Sequence, residues 1–250
     1  MIRSRPASDT EGDFTVGRID KAGDFLRRHE AAVASGSLAL RGPEHHDAVA
    51  ILNRFRALHQ LALTKVVMGV RSFMASEESD VEVAQRLKRQ QRIVGKLIRF
   101  PHMRLSQMQD VGGCRAIFPD DAEPALRGVL RRIQSQWAVR RVDDYTATPQ
   151  PTGYRAIHAI VMRDGRQIEI QLRTITQQHW ADAVELLEDL TGSHLKDGEG
   201  PADVLHLLRI AADASALRAA GGTIPTQTSG EIERLTDIVV ERYRGRISRQ

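Results

Sequence analysis

The stretch Tyr154 to Arg173, YRAIHAIVMRDGRQIEIQLR, constrains the fold more than any other part of the chain. Its Asp164-Gly165 pair sits between two runs rich in Ile and Val, the chemistry of a two-residue turn joining adjacent antiparallel strands. With Arg163 opposite Arg166, alternation puts Ile157, Ala159, Val161, Ile168, Ile170 and Leu172 on one face. The other face gathers Tyr154, His158, Glu169, Gln171 and Arg173 among Ala156, Ile160 and Met162. An ordinary wet face would carry scattered Lys, Thr and Glu. An aromatic, an imidazole, a carboxylate, an amide and a guanidinium together suggest a lined site.

At 250 residues, 41% apolar and 27% charged, the chain is expected to form one substantial globular domain with appendages. No apolar run approaches the roughly 20 residues of a membrane span. The opening MIRSRPASDTEGDF lacks the apolar segment of a secretory signal, so a cytoplasmic location is expected. The single cysteine, Cys114, excludes an intramolecular disulfide, and its apolar surroundings predict a buried structural thiol. Lys and Arg number 36 against 32 Asp and Glu, and the sequence pI is about 9.6. That balance suits a polyanionic ligand, nucleotide or RNA, with a solvated arginine-rich surface as the plain alternative.

The organisation follows from punctuation and period. Residues 1–45 read as a mobile polar arm with a short helix over 21–35, closed by Gly36, Gly42 and Pro43. Val49, Leu52, Phe55, Leu58, Leu61 or Ala62, the apolar stem of Lys65 and Met68 predict one long amphipathic helix over 46–74. His45-His46-Asp47 invites comparison with a histidine-aspartate metal site. Matching partners at convincing spacing are missing, however, and Asp47 suits a first helical turn. After the polar connector ASEESD, residues 81–99 predict a helix. Lys88, Arg92, Lys96 and Arg99 fall within about 80° of one another on it, opposite Val83, Leu87, Val94 and Ile98. Arg86 sits at the apolar edge. Like charges at helical spacing repel, and a phosphate ligand would relieve them as well as solvent does.

Pro101 ends that helix, and Cys114 to Phe118 is a strand candidate closed by Pro119. Asp110, just before it, is placed for a magnesium ligand or is a plain loop aspartate; Arg115 puts a cation beside it. A helix over 121–136, a strand over 137–145 and the loop TATPQPTG lead to the hairpin. A helix over 175–190 follows it, and a linker and two amphipathic helices fill 191–250. Neither a P-loop nor a dinucleotide-binding glycine pattern occurs. Cations for phosphates, two carboxylates for magnesium or a hydroxyl proton, and an aromatic for a base are the parts of nucleotide phosphoryl transfer.

Five segments then become recognisable: Arg86-x-Lys88 with Ile93 and Lys96; Asp110-Val-Gly-Gly-Cys-Arg115; Asp144-Tyr145; Gly153-Tyr154-Arg155-Ala156-Ile157-His158; and Glu169-Ile-Gln171-Leu-Arg173-Thr174. In this order, over about residues 81–188, the chain resembles the synthetase domain of the RelA/SpoT family. The resemblance implies an α+β, nucleotidyltransferase-like mixed sheet flanked by helices, occupying about 46–190. It implies transfer of the β,γ-pyrophosphate of ATP to the ribose 3′-hydroxyl of GDP or GTP, giving (p)ppGpp, with Mg²⁺ as cofactor. Asp110 and Glu169 would bind the metal, Glu169 also deprotonating the attacking hydroxyl. Arg86, Lys88, Arg92, Lys96 and Arg115 become the ATP-binding candidates. Tyr154, His158, Gln171 and Arg173 become the acceptor-binding ones.

The chain departs from the family pattern at several positions. Arg92 stands where a serine is frequent, Asp143 and Gln150 where lysines are, and Thr152 where an asparagine or serine precedes the glycine. Gln178, followed by His179, takes the place of a histidine. The loss of two acceptor-side lysines keeps a second branch of the family in view, whose members pyrophosphorylate the 3′ end of tRNA or make adenosine alarmones as toxins. An antitoxin partner and a homo-oligomer are compatible with either branch. A catalytically silent nucleotide-binding module is disfavoured by the presence of Asp110, Tyr154 and Glu169 together. With too few residues upstream for a hydrolase domain, a stand-alone synthetase is expected.

Overall fold

The computed structural model describes residues 14–36, 41–75, 82–119 and 123–247. Residues 1–13 and 37–40 of the expected N-terminal arm, the connector after Ala75 and the start of the helix predicted from residue 121 lie outside them. Five strands form one sheet in the order β1-β2-β5-β4-β3: β1 (Glu82–Leu87), β2 (Gly112–Phe118), β3 (Ala138–Asp144), β4 (Ile157–Arg163) and β5 (Arg166–Thr174). Eight helices accompany them among the described residues: α1 (Val16–Ala34), α2 (Pro43–Ala57), α3 (Gln60–Ala75), α4 (Gln90–Arg99), α5 (Glu123–Gln136), α6 (Ile175–Thr191), α7 (Ala202–Ala219) and α8 (Thr226–Ile247).

The β4–β5 hairpin is where turn chemistry puts it. Asp164 (φ 49°) and Gly165 (φ 72°) are both left-handed, as a type I′ turn requires, and glycine takes the second of these conformations without a Cβ penalty. Ile157, Ala159, Val161, Ile168, Ile170 and Leu172 are all fully buried. Each such aliphatic side chain larger than alanine is worth about 1.5–3 kcal/mol. The opposite face is half-buried at His158, Glu169 and Gln171.

The chain divides into two compact units. One comprises Met1–Val67, Gln85–Cys114 and Met162–Glu169; the other comprises Met68–Ala84, Arg115–Val161 and Ile170–Gln250. In the first, Ile19, Ala22 and Leu26 of α1 share a core with Leu52 and Phe55 of α2 and with Ile93, Val94 and Leu97 of α4. Thr15 caps α1 through its hydroxyl, so the helix starts five residues before the sequence predicts. In the second, Val184 of α6 packs with Val204, Leu207 and Leu208 of α7 and with Leu235 and Val239 of α8. α6 opens with a full capping box between Thr174 and Gln177.

Two sequence expectations are corrected. The long helix over 46–74 is two helices, broken at Leu58-His59. There His59 turns inward to 3% exposure, its ring Nδ1 donating to Phe55 O at 2.9 Å. The helix over 81–99 begins only at Gln90, and residues 82–87 form an edge strand in which Val83 and Leu87 alone are half-buried. Ala, Gln, Arg and Leu favour helix locally, but pairing along β2 satisfies the backbone of this segment and prevails. Arg86 and Lys88 therefore do not lie on the cationic helix. The buried stripe of α4 is Ile93, Val94 and Leu97, with Ile98 39% exposed.

Candidate functional site

Within the first unit, the candidate side chains are set by their backbones. Lys88, in the turn between β1 and α4, donates its N–H to Val111 O at 2.8 Å and accepts at its carbonyl from Arg56 Nε at 2.8 Å. Both backbone groups being held, its side chain is directed at the loop before β2. Lys96 is placed by the buried stripe of α4 on which it borders. The two ammoniums meet on one oxygen: Lys88 Nζ lies 2.7 Å and Lys96 Nζ 2.8 Å from Asp110 Oδ2. All three side chains are 18–23% exposed. Burial pushes the Asp110 carboxyl upward, and the charges and hydrogen bonds of Lys88 and Lys96 outweigh it, holding the pKa below its ordinary value.

Asp110 Oδ1 is buried and has no hydrogen-bond partner. An orphaned carboxylate oxygen is costly unless something binds it, and an oxygen donor of this kind fits Mg²⁺. Glu169, on β5, is the second oxygen donor predicted for the metal. A Cβ at Gly113 would lie 3.9 Å from Glu169 Oε2, so the glycine leaves that flank of the carboxylate clear of a side chain. The negative charge of Glu169 is felt at Cys114: burial first, then Glu169, push that thiol up to about 12. Cys114 is thus the buried, inert thiol its surroundings predict. Arg86 and Arg92 are exposed and take no part in the Lys88–Asp110–Lys96 cluster.

Within the second unit, the acceptor-side candidates form a separate network. Arg173, only 6% exposed, donates from Nη2 to Tyr154 Oη at 2.7 Å, and its guanidinium sits 5.2 Å from the Tyr154 ring centroid. Tyr154 Oη is also 2.6 Å from His158 Nε2; as it accepts from Arg173, its own proton is available to that nitrogen. Tyr145 meets Tyr154 and His158 edge-on at 5.8 and 5.5 Å between centroids. Tyr154 is therefore held at its tip and along its edges. The loop 146–153 delivers it, with Gly153 N donating to Gln150 O at 2.8 Å and Gln150 N to Tyr154 O at 3.2 Å.

Gln178 is the residue that sequence reasoning missed. It stands where the family pattern has a histidine, and Arg173 Nη1 donates to its Oε1 at 3.1 Å, while its Nε2 donates to Asp182 Oδ1 at 2.5 Å. His179, the neighbouring histidine, is exposed. The amide thus occupies the position that steadies Arg173. Asp144 organises the start of the loop that precedes Tyr154: Oδ1 accepts from Thr146 N, Thr146 Oγ1 and Ala147 N, and Oδ2 from Arg127 at 2.6 Å. Asp143, one of the missing lysine positions, pairs with Arg141 at 2.9 Å. Gln171 and Arg115 are half-buried on β5 and β2. A cavity of about 230 Å³ opens beside Gly153, Arg155, Thr174, Trp180 and Ala212.

Residues 85–186 match the family model described as "Region found in RelA / SpoT proteins". The chain carries a RelA/SpoT region. Every site residue predicted from the sequence falls inside it, from Arg86 to Arg173. The Mycobacterium tuberculosis (strain ATCC 25618 / H37Rv) protein Rv1366, called uncharacterized, is 33% identical over an alignment of 165 residues, gaps included, that covers 58% of this chain and 56% of that protein. A GTP pyrophosphokinase of Haemophilus influenzae is 32% identical over 145 residues, 56% of this chain and 19% of its own length. The match thus spans little more than half of the mycobacterial relative. Among solved structures, small alarmone synthetase 1 from Bacillus subtilis bound to its product pppGpp superposes with a TM-score of 0.58 at 22% identity, over 68% of this chain and 93% of that one. Small alarmone synthetase 2 from the same organism gives 0.57 at 21%, over 68% and 94%. At these identities the likeness is one of fold, and the RelA/SpoT region here has the same mixed five-stranded sheet with flanking helices.

No helix among the described residues is long and apolar enough to cross a membrane.

Proposed function

We propose that the RelA/SpoT region is a pyrophosphokinase that moves the β,γ-pyrophosphate of ATP to the ribose 3′-hydroxyl of GDP or GTP. The observation that carries this reading is Asp110, one oxygen gripped by Lys88 and Lys96 and the other buried without a partner. A carboxylate with two ammoniums keeps a net charge of about +1, an anion site only partly neutralised at rest. Phosphate oxygens of ATP are stronger partners for those ammoniums, and their transfer to the nucleotide releases the carboxylate. Asp110 and Glu169 are the residues that would hold Mg²⁺, which supplies charge neutralisation on the polyphosphate when bound.

In the reaction, the acceptor 3′-oxygen forms a bond to the β-phosphorus of ATP, the bond from that phosphorus to the bridging oxygen of the α-phosphate breaks, and AMP leaves. The hydroxyl proton passes to Glu169. Lys88 and Lys96 hold the phosphates and offset developing charge, a positioning and electrostatic role. Tyr154, its ring fixed by Arg173 and His158 before any ligand arrives, is the platform for the acceptor base. Gln171 and Arg173 order the acceptor side. The test is incubation of the protein with γ-labelled ATP and, in parallel, GDP, GTP, ADP and deacylated tRNA. Label on GDP or GTP supports the assignment; label on ADP or tRNA alone redirects it to another acceptor, and no transfer at all overturns it.

A further inference from the structure

Outside the RelA/SpoT region, α1 and α2 of the first unit bring together three side chains that no step above uses. His29 and Glu30 end α1, and His45 opens α2, fifteen residues further on; packing of the two helices joins them. The imidazoles lie with ring centroids 4.5 Å apart. Glu30 Oε1 is 3.9 Å from His29 Nδ1 and 3.9 Å from His45 Nε2. One ligand atom from each of the three falls within 4.8 Å of the others.

His45 decides what the cluster is. It is 7% exposed, its Nδ1 is buried without a partner, and its Nε2 stands beyond hydrogen-bond reach of Glu30. A ring nitrogen buried without a partner is disfavoured unless a ligand completes it. Asp47, the aspartate of the His-His-Asp run, instead faces Arg18 at 3.7 Å, so the sequence motif misnames the carboxylate.

We propose that His29, Glu30 and His45 form a site for one divalent transition-metal ion, Zn²⁺ by its ligand set. Two imidazoles and one carboxylate are borderline donors that favour Zn²⁺ over Mg²⁺. Tetrahedral bonds of about 2.0–2.1 Å set neighbouring ligand atoms roughly 3.3 Å apart, so the two contacts to Glu30 need to close by roughly 0.6 Å and a pair at the 4.8 Å limit by up to roughly 1.5 Å. The ion would clip α1 to α2, two helices that share a core with α4. This site is independent of the pyrophosphokinase reading.

The experiment uses the full chain, stripped of metal with a chelator and titrated with ZnCl₂ by calorimetry, and with Co²⁺ as a spectroscopic probe. Glu30→Gln and His29→Gln are the variants: the Glu30 side chain is 35% exposed, against 7% for His29 and 9% for His45, and circular dichroism reports whether each variant folds. The expected result is one equivalent of Zn²⁺, the intense visible absorption of low-coordinate Co²⁺, and a raised Tm in the unmutated protein. Both variants lose all three, and Mg²⁺ does not compete. The proposal fails if the unmutated protein takes up no Zn²⁺, or if the folded variants keep the same equivalent, as binding at exposed His46, His102 or His179 would produce.

Discussion

Lys88 Nζ lies 2.7 Å from Asp110 Oδ2, and Lys96 shares that oxygen at 2.8 Å, so a metal-ligand candidate is engaged by two phosphate-ligand candidates. Substituting Asp110→Asn removes the charge that partly offsets them and leaves one oxygen where the carboxylate has two. Loss of a preorganised electrostatic partner of this kind is expected to lower kcat by about 10²–10³-fold, read as initial rates of AMP formation. Because the two lysines hold the Asp110 pKa down, Lys96→Ala should move the acid limb of kcat/KM to higher pH. An acid limb in the same place would show that Lys96 does not set the ionisation of Asp110.

Asp144 links stability to pH. Burial raises its pKa, but hydrogen bonds from Arg127, Thr146 and Ala147 prevail and bring it from 3.8 to about 2. A carboxyl depressed in the folded state stabilises the fold fully above its unfolded value, and that stability is lost as pH falls through the folded value. Urea unfolding between about pH 4 and pH 2 should therefore show a steeper loss of stability in the unmutated protein than in Asp144→Asn. Parallel curves would mean that the Arg127 pair contributes nothing.

Gly153 carries φ 92°, and a Cβ there would come within 2.8 Å of Ala212 Cβ and 3.3 Å of Leu208 O on α7. Both the left-handed backbone and the close helix demand glycine. Gly153→Ala is expected to cost about 1–3 kcal/mol of stability, visible as a lowered Tm. A neutral substitution would indicate that the loop carrying Tyr154 can shift away from α7.

Tyr154 offers a separation of packing from hydrogen bonding. Tyr154→Phe keeps the ring but leaves the buried Arg173 without its 2.7 Å acceptor and His158 without its 2.6 Å partner. A stability loss of about 1–3 kcal/mol is expected from the unsatisfied groups, while Tyr154→Ala should in addition raise KM for the acceptor. If Phe and Ala behave alike in KM, the ring is not the acceptor platform.

Local chemistry was legible in the sequence. The Asp164-Gly165 turn demands two positive φ angles whatever surrounds it, and from that turn the faces of β4 and β5 follow by alternation. The segment 82–87 was misread because its residues favour helix, and only pairing along β2, a partner more than twenty residues away, makes it extended. His59 breaks a pattern that looks continuous because its ring bonds to Phe55 O, an event that periodicity does not register. In the candidate site, Asp110 and Lys88 were named from their motifs, but the shared oxygen depends on the turn geometry fixed by Val111 O and Arg56. Gln178 looked like a loss of a histidine; the position is kept by an amide that still receives Arg173. His29 and Glu30 met His45 through helix packing, which spacing along the chain does not reveal.

The central claim is that the β-phosphorus of ATP is attacked, and the adenine product decides it. With ATP, Mg²⁺ and GDP, chromatographic quantification should give one AMP for each guanine nucleotide that gains a pyrophosphate, and Glu169→Gln should suppress both together. Stoichiometric ADP, the product of attack at the γ-phosphorus, or AMP release unchanged by Glu169→Gln, would contradict the account.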